Sequence, residues 1–268
     1  MPRDERPGVN FKREMRTSLG IERPDARAEK YAELFGRPEL TQLQREELIG
    51  NLSGLSVTNP LAARITRDLL VGHLSENASE MELKERRPFL EALQKVAGAK
   101  SVAGRRGFPV VRLASKISGT LTEGEKLVLA VSVANETGAL GKPVLGTKAI
   151  IGLGVPPAAL NYLTHNEASS RLAINHLAEI FETPDHPHAT IVPNALRLLA
   201  RETGRADAPE RKPEEPLYAL RTLFGGTGAY RDRAAAVAVL REIAAATPQQ
   251  LAATNWNQRL LDKVKALE

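Results

Sequence analysis

Cysteine is absent from this 268-residue chain, which removes disulfides, thiol nucleophiles and thiolate metal ligands. Aromatic residues are scarce: one Trp, four Tyr and six Phe, 4% of the chain. A core must then be assembled from Leu, Ile, Val and Ala, which favours helices over a sandwich or barrel. Long apolar runs are missing as well. The longest apolar-rich stretch, Ala149 to Leu160, is broken by Gly152, Gly154, Pro156 and Pro157. It falls short of the roughly 18–20 residues that span a bilayer. The opening residues, Met1-Pro2-Arg3-Asp4-Glu5-Arg6-Pro7-Gly8, lack the apolar core of a secretory signal. The expected location is the cytoplasm, or outside the cell by a route that reads no such signal.

What is present is the composition of a globular chain, 42% hydrophobic and 26% charged. That excludes disorder of the whole molecule, and the length allows one or two domains. Residues 1–24 are polar and carry Pro2, Pro7, Gly8, Gly20 and Pro24. They are expected to form a flexible N-terminal arm, with at most a short helical piece at Phe11 to Leu19. Residues 25–268 are expected to form a helical domain, with a hinge near 139–157. The hinge rests on Leu145 to Leu160, which is apolar, Gly-rich and free of acidic residues; a partner-binding groove is the other reading of that segment.

Helix signals follow one another. Thr41-Gln42-Leu43-Gln44 has the form of a capping box, and Leu48, Leu52 and Leu55 follow at helical spacing. Asn59-Pro60 is an N-cap followed by Pro at the first helical position. Further helices are expected near 79–98, 108–118, 122–137, 156–163, 164–182, 193–203, 213–224, 229–246 and 248–266. Only Leu127 to Val133 and Lys148 to Ile151 read as plausible strands, the first because it alternates with period two. Pro88 raises the alternative that the segment opening at Ser79 is two helices.

Capping-box patterns begin at Thr41, Ser79, Thr122, Thr164, Asp207 and Thr247, at spacings of 38, 43, 42, 43 and 40 residues. Such four-residue patterns are common, so only the spacing carries information. On that period, and on its helix-pair pattern, residues 41–268 resemble the HEAT and armadillo class of α-solenoids, whose repeats run about 40–47 residues. The resemblance implies a curved stack presenting an extended surface to a partner, and it implies no catalytic residues. The expected fold is therefore all-α, stacked helical hairpins forming a short α-solenoid. An irregular multi-helix bundle is the alternative.

Charge is unevenly placed. Lys84, Arg86, Arg87, Lys95, Lys100, Arg105, Arg106, Arg112 and Lys116 face only Glu85 and Glu91, a net charge of +7 within 33 residues. The rest of the chain holds 28 basic and 30 acidic residues. Such a block attracts phosphate backbones, anionic headgroups or an acidic protein surface; the plain alternative is a solvated helix face plus a loop.

Histidines are few: His73, His165, His176, His186 and His188. His176 sits on an apolar stripe and reads as a core residue. No Gly-x-Ser-x-Gly elbow or phosphate loop is present. Asp185, His186 and His188 lie in a Pro-bounded turn rather than a metal-ligand spacing, so neither metal nor cofactor is expected. Trp256, the one Trp, is expected to close the core with Leu260, Leu261 and Val264.

These readings point to non-catalytic binding of another macromolecule, a protein with an acidic surface, through helix faces and the block at 84–116. A secreted bacterial effector would suit the Ala- and Arg-rich composition. Two alternatives stay open: an enzyme with a helical site around residues 164–188, and nucleic-acid or anionic-membrane binding through 84–116.

Overall fold

The computed structural model describes residues 7–98, 107–157, 159–160, 167–202, 212–224 and 233–265. Among the described residues every regular element is helical, and no helix is long and apolar enough to cross a membrane. The fold is all-α, built of sequentially packed helices, as the pattern of caps and apolar spacings predicts. Two compact units divide between Gly141 and Lys142.

The first unit contains α1 (Pro7–Leu19), α2 (Pro24–Phe35), α3 (Gln42–Ser56), α4 (Pro60–Asn77), α5 (Leu83–Ala97), α6 (Pro109–Ile117) and α7 (Glu123–Ala139). Proline opens α2, α4 and α6, where its missing N–H costs no helical bond. Thr41 and Thr122 form the capping boxes read from sequence, with Gln44 and Glu125 at the third position. The Asn59 side chain accepts from the Ala62 N–H. Within α1, Phe11 and Met15 are buried, and Glu14 pairs with Arg37 just past the end of α2.

Two local readings change. Leu127 to Val133 is helical: Glu125, Leu129, Ala130, Ser132, Val133, Glu136 and Thr137 are the buried positions, a stripe that returns every three to four residues. Ser79 lies in a turn, and the cap moves to Glu82, which forms a box with Glu85. One helix then runs through Pro88. The later start leaves Pro88 in the second turn, where it removes one bond, to the Lys84 carbonyl.

From α2 to α7 each helix packs on the next but one and on the next in sequence, except that α5 and α6 make little direct contact. α2, α4 and α6 make one row, and α3, α5 and α7 make the other. This is the arrangement of stacked hairpins. Tyr31, Leu34, Leu48, Leu52, Leu70, Leu74, Phe89, Leu93, Leu113 and Leu129 fill the space between the rows.

The second unit contains α8 (Pro143–Leu153), α9 (Glu167–Glu182), α10 (Val192–Glu202), α11 (Pro216–Phe224), α12 (Arg233–Ala245), α13 (Pro248–Ala252) and α14 (Thr254–Lys265). Lys148 to Ile151 is helical, inside α8. Pro143 opens that helix and Gly154, at φ +66°, ends it in the left-handed conformation that favours glycine. Thr164, His165 and Asp207 lie outside the described residues. The span 248–266 is two helices, with Ala253 extended between them. On one straight helix Leu251 and Leu260 would face opposite sides; the break lets both bury completely. Trp256 is half-buried.

The main packing in this unit joins α9 to α12, three helices apart in sequence. Ala173, Ala178 and Ala236 are fully buried and let the two approach. Arginines tie their ends reciprocally. Arg171, near the start of α9, donates to the carbonyls of Ala244 (3.0 Å) and Ala246 at the end of α12. Arg233, at the start of α12, donates to the carbonyls of Phe181 and Thr183 (2.8 Å to the latter) at the end of α9. Cations there meet the partial negative charge of a helix C-terminus. Arg171→Met and Arg233→Met are each expected to cost about 1–2 kcal/mol in urea unfolding of the second unit, with little effect on the first.

Candidate binding cleft

The two-row packing distributes the basic block. Arg86 is 8% exposed and belongs to the interior, not to a surface patch. Lys84, Arg87 and Lys95 are exposed on α5, and Arg112 and Lys116 on α6. α5 and α6 belong to different rows, each packed on α4 and α7, so these five cations are divided between two helices. Lys84 pairs with Glu82 and Arg87 with Glu91, while Lys116 donates to Ser75 Oγ at 2.8 Å. Lys100, Arg105 and Arg106 lie outside the described residues.

Arg86 is the hub of a buried network. Its Nε and Nη2 reach the two carboxylate oxygens of Glu125 at 2.8 and 3.2 Å. Its Nη1 donates to the carbonyls of Ala78 and Met81, each at 2.8 Å. Glu125 also accepts from the Thr122 N–H and hydroxyl. Burial alone would raise the Glu125 pKa; the bonds from Arg86 and Thr122 outweigh it and hold the carboxyl below its usual value. One ion pair thus joins α5 to the start of α7 and fixes the α4–α5 turn.

That turn forms one lip of an open cleft of about 600 Å³ in the first unit. Phe35 and Gly36 at the end of α2, Gln42 and Arg45 on α3, and Asp68, Leu69, Gly72, His73, Glu76 and Asn77 on α4 line it, with Glu80, Met81 and Glu85 completing the wall. Gln42 Nε2 donates to the Glu85 carbonyl at 3.2 Å, tying two walls together. Arg45 donates to the carbonyls of Phe35 (2.6 Å) and Arg37 (2.8 Å) and lies 5.3 Å over the Phe35 ring.

His73 sits in the floor. Its ring meets Phe35 edge-on at 5.0 Å and Phe89 at 4.8 Å. Asn77 Nδ2 approaches its Nδ1 at 3.3 Å, and its Nε2 is buried with no hydrogen-bond partner among the described residues. Burial, aided by the Arg45 charge, lowers the His73 pKa. Glu136, on α7, accepts from the Val110 and Val111 N–H groups that open α6, and burial raises its pKa.

The described histidines of the second unit lie near one another: the His186 and His188 rings are 5.6 Å apart, and both act electrostatically on His176. His176 pairs with Glu179, and burial lowers its pKa. Glu167 is engaged by Arg171, and His186 Nδ1 accepts from the His188 N–H. Among the described residues no three His, Asp or Glu side chains converge as metal ligands. Neither a family model, a curated protein nor a solved structure matches this chain.

The cleft escapes a sequence reading because its walls come from four helices and carry no local motif. Only His73 stands out in the sequence, by rarity.

Two measurements check this electrostatic arrangement. Arg86→Met leaves the buried Glu125 carboxylate with the Thr122 donors but no countercharge, and takes the donor from two carbonyls; it is expected to cost about 3–5 kcal/mol in urea unfolding. Adding Glu125→Leu is expected to restore part of that loss. A depressed histidine pKa adds stability above the ordinary value of about 6.5, and that stability disappears as pH falls through the folded-state value. His73→Gln is therefore expected to flatten the fall in melting temperature between about pH 7 and pH 5. Glu136, with its raised pKa, has the opposite sign: its contribution is present below the ordinary carboxylate value and lost as pH rises.

Proposed function

We propose that this chain is a non-catalytic, protein-binding scaffold of stacked helical hairpins, and that the cleft of the first unit is its binding element. The observation that carries the reading is the cleft itself. Successive hairpins leave an open gap between the α2–α3 and α4–α5 turns, with a half-buried floor and a charged rim. Clefts at such junctions are common ligand sites. The row packing of α2 to α7 supports kinship of this unit with the HEAT and armadillo class. So do the formed boxes at Thr41 and Thr122, which stand two periods apart. An enzyme around residues 164–188 draws less support, since Glu167 and His176 already serve Arg171 and Glu179. Nucleic-acid binding through 84–116 would need cations on one face.

Gly72 supplies the test. A Cβ there meets nothing within 4 Å beyond its own helix backbone and chain neighbours, so a large side chain is expected to extend into the cleft without displacing the helix. A displayed library of random peptides, about 12 residues long, is selected against the whole chain. Selected peptides are expected to bind Gly72→Ala normally and to lose at least about tenfold in affinity for Gly72→Trp, about 1.4 kcal/mol, with circular dichroism unchanged. Recovery of no peptide, or of peptides indifferent to Gly72→Trp, would overturn the reading.

A further inference from the structure

We infer that the occupant of this cleft is a basic segment of a partner protein, with Lys or Arg side chains on the rim and an apolar side chain on the floor. The inference rests on the cleft being the binding element, and it gives that element a partner chemistry.

The rim carries the carboxylates of Asp68, Glu76, Glu80 and Glu85 against the single guanidinium of Arg45. Arg45 is committed to two backbone carbonyls and the Phe35 ring. Its donors are therefore turned inward. Asp68 shares its charge with Arg67, and Glu85 lends one oxygen to the Glu82 N–H. Glu76 and Glu80 are exposed and have no ion-pair partner among the described residues. Carboxylates lining a concave wall of low polarisability focus their field into the cleft. The floor, where Leu69, His73 and Met81 are half-buried, offers a seat for one apolar side chain, and Gly72 leaves the room for it.

Other occupants fit less well. A hard metal ion lacks a converging ligand set among the described residues, and about 600 Å³ far exceeds its volume. A nucleic acid would bring phosphates to four carboxylates. A peptide with alternating cationic and apolar residues matches both the sign of the rim and the character of the floor. The cations of α5 and α6 are then not the element that sets partner choice; the sign of the partner is opposite to the one the basic block suggests.

The same library decides the matter. Peptides that depend on the cleft, scored by their loss on Gly72→Trp, are expected to carry net positive charge. Their affinity is expected to fall at least about tenfold for Glu76→Lys with Glu80→Lys. Both side chains are exposed, so the fold is undisturbed. Affinity is also expected to fall between about 0.05 M and about 0.5 M salt. Peptides that depend on the cleft yet are neutral or acidic, or that bind the double variant and high salt unchanged, would overturn this inference and leave the docking reading standing. Peptides indifferent to Gly72→Trp would overturn both.

Discussion

The first unit depends on the ion pair between Arg86 and Glu125. Both side chains are nearly inaccessible, and neither charge would be tolerable alone in that interior. Together with the carbonyls of Ala78 and Met81 and the capping groups of Thr122, they form a closed set of donors and acceptors. The set joins three places that apolar packing would hold only loosely: the second turn of α5, the start of α7 and the turn leaving α4. Leucine contacts tolerate sliding; a bidentate arginine does not. The register of α5 against α7 is accordingly fixed, and the position of Glu80 and Met81 with it.

The cleft is a consequence of that fixation. Its lip is the turn that Arg86 holds by two carbonyls, and its opposite wall is the α2–α3 junction held by Arg45 in the same way. Two arginines, each spent on main-chain oxygens, thus shape a depression whose remaining charge is carboxylate. The second unit uses the same device differently. Arg171 and Arg233 bond the last carbonyls of each other's helices, which closes α9 onto α12 instead of leaving an open gap between turns. Arg27, Arg45, Arg86, Arg171 and Arg233 each bond main-chain carbonyls, so these arginines serve construction of the fold.

Much of the fold was legible because helix boundaries are local. Thr41, Thr122 and Thr247 cap where their boxes say, and Pro60, Pro109 and Pro248 open helices as their position requires. The readings that changed are those where a distant contact decides. Ser79 yields its cap to Glu82, where the carbonyls of Ala78 and Met81 are taken by Arg86. The helix expected over 248–266 breaks at Ala253 because Leu251 and Leu260 must reach one core. Leu127 to Val133 alternates in sequence, yet its buried set is helical once α5 and α6 pack on it.

The candidate site was legible only in fragments. Its lining comes from two stretches, 35–45 at the α2–α3 junction and 68–85 from α4 to the start of α5, which only packing brings together. The sequence by itself determined the all-helical class, the placement of most caps, the absence of thiol chemistry and the location of the positive charge along the chain. Tertiary structure decided which of those charges face solvent, that Arg86 does not, and that the recess between hairpins is acidic. The reason is physical: propensity and capping act over three or four residues, whereas exposure and field depend on partners such as Glu125, 39 residues from Arg86, that only packing brings near.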